Sequence, residues 1–394
     1  MKKIADGILT IGIFLILAAG AVKTCFLQKN INYYENRYAN KLPAFSMHAY
    51  LDGTYQKGVD DALMDQVPYA QKLKAKYNYC TRKYVVASLR QIISRNADYI
   101  KNHYFNLFGV TLFGGDHLSY WPRDPDAIRN PLAAKAANIN KMSAGHPELD
   151  FFTYYIEKET DMNFETGKKP GIAENFLKKI NLPADRKAIY TVNSFDEFDR
   201  WFYKTDAHWN CLGSYRGYAQ VAGLLGVKEK LIPPGKRVLV SPSFSGNKAT
   251  TTGLAGIFRE NFYAYRFAYP KMTIRENGQP AKDYGRQDSY FAGDDLDSLN
   301  YGNFYGDDGG EIIFDTGNSS RDNLLVIGES YDNAILKLLA SHFNRTYSID
   351  LRNYKAQIGH SFHFSQYAAE HHIKKVLLIG NVDFYTLDTF MLED

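Results

Sequence analysis

Four apolar residues in a row, Leu324-Leu325-Val326-Ile327, lead into Gly328-Glu329-Ser330-Tyr331. From Ala334 to Leu339 the apolar residues then recur at helical spacing. An unbroken apolar run closed by glycine predicts a strand buried on both faces. Gly328 permits a sharp turn from that strand into the helix. Comparable runs predict strands at Phe151–Ile156, Ala188–Val192, Val238–Val240, Phe262–Tyr269, Glu311–Phe314, Tyr347–Ile349 and Val376–Ile379. Residues 105–113 read as one apolar stretch ending at Gly114-Gly115. Helical periodicity covers 133–142, 172–180, 195–203 and 212–225. Strands alternating with helices predict a mainly parallel sheet covered on both faces. Residues 243–260 and 293–310 are rich in Gly, Ser, Thr, Asn and Asp and read as long loops of the kind that line sites.

The N-terminal pattern differs. Lys2 and Lys3 precede an uncharged stretch from Gly7 to Val22, the layout of an export signal. Ala19-Gly20-Ala21 offers a cleavage site. Alternatively Lys23 snorkels and the span continues through Cys25-Phe26-Leu27, giving the roughly 20 residues needed to cross a bilayer. The uncleaved anchor is the preferred expectation, with the lysines cytoplasmic and the body outside; secretion after cleavage is the other. Residues 28–58 read as a polar, irregular linker. Residues 59–104 are helical, with Val85, Leu89, Ile92, Ile93 and Ile100 near one face and Pro68 as an interruption. The expected organisation is a signal anchor or signal peptide over 1–27, a linker and helical membrane-proximal region over 28–104, and an α/β domain over 105–394.

With 394 residues, 45% of them hydrophobic, the chain can bury a large core. A net charge of +4 is small for this length and gives no reason to expect nucleic acid as a partner. The 30 Tyr and 25 Phe are mostly core material, although such rings also stack on sugars. Cys25, Cys80 and Cys211 lack metal-ligand spacing, and a Cys80–Cys211 disulfide stays open for an exported protein. His360 and His363 have no evident third ligand, and Gly114-Gly115-Asp116 lacks a dinucleotide fingerprint. No metal and no cofactor is expected.

Two stretches carry candidate chemistry. Ser330, at a strand-to-helix corner, is placed to be lifted out of the sheet near free helix N–H groups, as a nucleophilic serine requires; the alternative is a plain helix N-cap. In Lys204-Thr205-Asp206-Ala207-His208-Trp209, Asp206 and His208 point to the same side of an extended segment. The carboxylate can hold the imidazole Nδ1–H and leave Nε2 free to accept a proton. The alternative is an exposed turn with Asp206 capping the next helix.

Taken together, Ile327-Gly328-Glu329-Ser330-Tyr331 and the upstream Lys204–Trp209 stretch resemble the SGNH-like acetyltransferase domain of the alginate O-acetyltransferase proteins, and in particular the extracytoplasmic DHHW family. Further matches follow in order: Glu35-Asn36-Arg37 with Pro43, Gly53-x-Tyr55 with Asp65-Gln66-x-Pro68, and Ser348-Ile349-Asp350-Leu351-Arg352-x-Tyr354. The resemblance covers the chain after the signal. It departs where Ala207 replaces the first His of Asp-His-His-Trp and where Glu329 replaces the Asp common before the serine.

The resemblance implies an SGNH-hydrolase-like three-layer sandwich with a mainly parallel sheet, preceded by a helical membrane-proximal region, with 105–394 as the catalytic domain. It implies an O-acetyltransferase working through an acetyl-serine on an exported polysaccharide or cell-surface glycan. Ser330 would be the nucleophile, His208 its base and Asp206 the orienting carboxylate. The Ser330 N–H, Gly246, Asn247 and Asn303 are candidate oxyanion donors. Tyr331 and Arg352 are candidates for holding the sugar, with an ion pair to Asp350 as the other reading of Arg352. A membrane-bound O-acyltransferase partner would supply the acetyl group. Two alternatives stand beside this: a carbohydrate O-acetyl esterase of SGNH type, and a non-catalytic glycan-binding or assembly protein.

Overall fold

The predicted strand Leu324–Ile327 lies inside an eight-stranded sheet. Its strands are β1 (Asp150–Ile156), β2 (Lys187–Tyr190), β3 (Thr273–Glu276), β4 (Gln279–Ala281), β5 (Glu311–Asp315), β6 (Asn323–Ile327), β7 (Arg345–Ile349) and β8 (Ile373–Gly380). Their order across the sheet is β4-β3-β5-β7-β6-β8-β1-β2. From β7 to β2 the neighbours pair in parallel. The β5, β3 and β4 strands add an antiparallel edge. The computed structural model describes residues 2–32, 37–107, 109–281, 284–294 and 296–393, leaving out the side chains of 2–9, 37, 78–86, 89 and 92. Glu35-Asn36, the side chains of Val85, Leu89 and Ile92, and that of Cys80 therefore lie outside the described residues.

Central position explains the unbroken apolar run of β6. Leu324 and Val326 face one core, shared with Tyr218 and Val221 of the helix Cys211–Leu224 and with Ile335 and Leu339 of the helix Asn333–Ala340. Leu325 and Ile327 face the other, shared with Ile139 of the helix Arg129–Gly145 and Phe364 of the helix Phe364–Glu370. Helices thus cover both faces. Each fully buried aliphatic side chain contributes about 1.5–3 kcal/mol, and in a parallel sheet no face is left for polar residues. All parallel strands end at the same edge, so the residues following β6, β8 and β1 meet there.

The chain divides into two compact units, Met1–Gln91 and Ile92–Asp394. In the first, the stretch expected to be irregular contains the helix Met47–Leu51, capped by Ser46, and the start of the helix Thr54–Gln66. The helical region expected from 59 breaks at Val67-Pro68-Tyr69 before resuming over Ala70–Arg95. Asp65 and Gln66 are buried and act as a latch. Asp65 accepts from Asn32 Nδ2 (2.8 Å) and Asn40 N (2.7 Å). Gln66 accepts from Lys29 N (2.6 Å) and donates to the Lys29 and Asn40 carbonyls. Without this latch those backbone groups would be left unpaired near a buried carboxylate. The N-terminal helix runs Lys2–Phe26. Among the described residues no helix is long and apolar enough to cross a membrane; the side chains of this helix are described from Thr10 onward.

In the second unit, 105–113 is not one element. Strands Phe105–Leu107 and Val110–Phe113 pair antiparallel, and His117–Ser119 joins them. A hairpin satisfies the backbone of a short apolar stretch that a single lone strand would leave unpaired. The two expected loops hold short helices, Asn247–Thr251 and Tyr301–Tyr305. Cys211 is a free, buried thiol.

Candidate active site

Ser330 sits on the turn Glu329–Asp332, closed by the Asp332 N–H to the Glu329 carbonyl at 2.9 Å. The helix begins at Asn333 with Asp332 as its N-cap, so Ser330 is not the cap. Gly328 makes the corner possible: a Cβ there would come within 2.1 Å of Asp332 Oδ2 and 3.0 Å of Ile379 Cγ2.

The second stretch folds back onto this corner. His208 Nε2 is 2.7 Å from Ser330 Oγ, and His208 Nδ1 is 2.5 Å from Asp206 Oδ1. All three residues are buried, with Ser330 9% exposed and His208 3%. Asp206 does not cap the following helix; Asn210 does, accepting from the Leu212 and Gly213 N–H groups. Burial pushes the Asp206 carboxyl upward, but His208 and the N–H groups of Asn247 and His208 outweigh it and hold Asp206 below the usual range. The carboxylate is therefore charged and fixes the imidazole with Nε2 toward the hydroxyl. Tyr301 stacks flat on the His208 ring at 3.9 Å, and Trp209, wholly buried, donates to the Tyr301 hydroxyl. These rings keep water from the imidazole.

The other candidates take different places. Gly246 donates its N–H to Thr205 Oγ1, and a Cβ on it would fall 2.3 Å from Asp206 Cβ, so glycine is needed for close approach and not as an oxyanion donor. Asn247 gives its N–H to Asp206 Oδ2 (2.7 Å) and takes the Ala207 N–H on its side-chain carbonyl (3.0 Å). It braces the acid. Asn303 donates its amide to the Ser298 carbonyl at 2.7 Å. Tyr331 is buried, with its hydroxyl on the Ala207 carbonyl, stapling the two stretches together instead of facing a sugar. Arg352 forks onto Asp350 and reaches Asp308 at 2.9 Å, the ion-pair reading. The Ser330 N–H donates to no protein group among the described residues.

Sequence reasoning missed three contributors. Asn381, directly after β8, donates its amide to Glu329 Oε1 at 2.5 Å and so holds the residue before the serine. Burial pushes the Glu329 carboxyl up, partly offset by Arg352 and Lys158. The signal for Asn381 was positional: Gly380-Asn381 ends the strand beside β6. Lys158, after β1, pairs with Asp383 at 2.9 Å, and its Nζ lies 5.9 Å from the Tyr331 ring centre. Glu260 accepts from Lys204 N, Thr205 N and Thr205 Oγ1, fixing the segment that leads to Asp206.

No family model and no curated protein matches this sequence. Solved structures do. A DHHW family protein from Eubacterium siraeum aligns with a TM-score of 0.55 at 15% identity, over 73% of this chain and 95% of that one. Bacillus cereus PatB1, solved with a sulfonyl adduct, aligns with a TM-score of 0.53 at 20% identity, over 74% and 97%. The chain shares its fold with these proteins.

Proposed function

We propose that the chain is an extracytoplasmic O-acetyltransferase of SGNH-like fold, moving acetyl groups onto an exported polysaccharide or cell-surface glycan. The observation that carries this reading is the continuous chain from Asp206 through His208 to Ser330 Oγ, 2.5 and 2.7 Å long, in a buried setting. As Ser330 Oγ attacks an acetyl carbonyl, His208 Nε2 takes its proton and then passes it to the departing donor group. This leaves acetyl-Ser330. A sugar hydroxyl then attacks the acetyl carbonyl while His208 Nε2 accepts its proton. The ester bond to Ser330 breaks, the proton returns to Oγ, and an O-acetyl sugar departs. Each step passes through an oxyanion, for which the Ser330 N–H is a free donor. Asp206 steadies the imidazolium in both halves.

Residues 1–27, with exposed Ile11, Phe14, Leu15, Ile16 and Leu17 between lysines at 2–3 and 23, serve in this reading as an uncleaved anchor. Residues 28–104 are then the membrane-proximal stretch and 105–394 the catalytic domain. A membrane-bound O-acyltransferase partner supplies the acetyl group.

The test is incubation with a chromogenic acetyl ester, with and without a glycan oligomer. Acetylated oligomer is the expected product, and Ser330→Ala abolishes it. Acetate release indifferent to the oligomer identifies an esterase. Neither acetate release nor acetylated oligomer from the unaltered protein identifies a non-catalytic glycan-binding protein, and acetylation surviving in Ser330→Ala means that Ser330 is not the nucleophile; either outcome overturns the proposal.

A further inference from the structure

The helix Ala70–Arg95 has no part in the chemistry above, and its charge is all of one sign. It carries seven Lys and Arg residues and no Asp or Glu. Residues 28–91 together hold ten Lys and Arg against five Asp and Glu, a net +5, while the whole chain carries +4. The basic excess is therefore concentrated here. Lys72, Lys74 and Lys76 fall in the first two turns of the helix and are exposed. That end of a helix is already positive, and the first turn carries no acidic residue, so like charge gathers where the dipole least favours it. Asp60, Asp61 and Asp65 belong to the preceding helix, before the break at Val67-Pro68-Tyr69, and Asp65 is engaged in the latch.

Aromatic and apolar residues share this exposed side. Tyr69, Leu73 and Tyr77 recur every four residues and form one stripe, 69%, 63% and 69% exposed. The Tyr69 carbonyl accepts the Leu73 N–H at 2.8 Å, which ties the first ring to the helix. By helical geometry Lys72 and Lys76 flank the stripe on one side and Lys74 on the other. The opposite side packs inward: Gln71 is buried and donates to Asp65 Oδ1 at 3.1 Å. Tyr69 has φ +64°, a strained conformation for an aromatic residue, and its exposed ring recovers little of that strain by packing. The latch that holds Gln71 also holds the chain just past the N-terminal helix, since Gln66 accepts the Lys29 N–H three residues beyond Phe26. Three residues from Gln66 to Tyr69 span at most ~10 Å, comparable with the headgroup layer on one side of a bilayer, about 5–8 Å deep.

Resting on the reading of residues 1–27 as an uncleaved anchor, we infer that the Tyr69–Tyr77 face lies on an anionic lipid surface beside that anchor: Tyr69, Leu73 and Tyr77 enter the headgroup layer, and the flanking lysines bind lipid phosphates. Tyrosine suits this layer because its ring is apolar and its hydroxyl polar. Each lysine held near an anionic surface adds to the attraction. A cationic helix with one apolar stripe lies in the plane of such a surface. Lysines repeated on both sides of a narrow stripe match a field of like phosphates, which favours lipid over the fixed pattern of a protein partner.

The full chain is reconstituted into vesicles of phosphatidylcholine, alone or mixed with phosphatidylglycerol. Leu73→Trp puts an indole in the stripe, and its emission is the difference from that of the unaltered chain. Lipids carrying a nitroxide at headgroup level quench this added emission by about half in the anionic vesicles and far less in the neutral ones. Replacing Lys72, Lys74 and Lys76 together by Gln lowers the quenching about twofold, and raised salt acts in the same direction. Unchanged near-ultraviolet circular dichroism establishes that each variant is folded. The inference is overturned if the added indole is quenched in neither vesicle, or if quenching is equal in both and indifferent to the lysine changes. It is also overturned if soluble polyglutamate shifts the added emission as much as the anionic vesicles do, which identifies a general polyanion site. Failure of the anchor reading shows separately, as release of the unaltered chain from vesicles by alkaline carbonate.

Discussion

The role of Asp206 is decided by its tautomeric control of one ring. Its Oδ1 faces His208 Nδ1 at 2.5 Å, while Oδ2 accepts from the Asn247 N–H at 2.7 Å. In Asp206→Asn the amide group that faces away from Asn247 presents N–H to Nδ1, so the ring must carry its proton on Nε2. Nε2 then cannot accept the serine proton. We expect kcat for a chromogenic acetyl ester to fall about 10³–10⁴-fold with little change in KM; a loss under tenfold would mean that His208 is oriented by something else, such as Tyr301. The pair of residue types was legible, but the expected extended geometry was not what forms. Residues 204–208 are a run of bends closed by the Phe202–Trp209 bridge and by the Tyr203 N–H to His208 carbonyl bond at 3.1 Å. The Asp206 carboxylate meets its own ring because it also turns back onto the His208 N–H at 3.1 Å. Tyr301, stacked at 3.9 Å on the same imidazole, was not legible, since nothing local in Tyr301-Gly302-Asn303 distinguishes a stacking ring from a core ring. Gly246 and Asn247 were noticed for residue type, but their roles follow from closeness to Asp206, which residue type does not reveal.

The short helix Asn247–Thr251 shows how a stretch read as a loop can fix a site. Its first residue braces Asp206, and the Ala249 N–H meets the Thr205 carbonyl at 3.2 Å. Its second residue, Lys248, is wholly buried and lies 2.6 Å from Glu159 Oε1, itself wholly buried. The contact is an ion pair by distance but lacks hydrogen-bond alignment, so its value rests on mutual charge compensation. Removing one partner leaves a buried, uncompensated charge. We expect Lys248→Met to lower unfolding free energy by about 3–5 kcal/mol and Glu159→Met to cost a similar amount. The double variant should recover much of the loss, as urea denaturation would measure. Purely additive losses would show that the two charges do not depend on each other. Two physical facts hid this helix in the sequence. Five residues span too little for an apolar period to emerge, and its inward lysine runs against the usual outward pattern of charge.

At the scale of the whole molecule, the alternation of strands and helices was readable because two-sided burial writes continuous apolar runs into the parallel strands. Strand order and the antiparallel edge formed by β5, β3 and β4 were not, since pairing direction depends on connections that leave little mark on composition. The same burial has a consequence for pH. Glu260 and Asp161 are enclosed, and burial pushes each carboxyl up to about 7. In the unfolded chain both ionise near pH 4. Between about pH 4 and 7 the folded state therefore holds protons that the unfolded state has released, and stability falls as pH rises through that window. Each group accounts for roughly 3–4 kcal/mol between the two ends. Asp206 and Asp383 act in the opposite sense: both are held below their ordinary range, and their contribution is lost as pH falls below about 4. Maximum stability should then lie at mildly acidic pH. Glu260→Gln replaces the proton-holding oxygen with an amide that keeps Thr205 as a donor, and Asp161→Asn keeps the Tyr155 hydroxyl bond of 2.7 Å. Each variant should flatten the decline in denaturant midpoint between pH 4.5 and 8 by about one proton's worth. An unchanged slope in both would mean that these carboxyls ionise normally inside the fold, and that the three donors on Glu260 outweigh its burial.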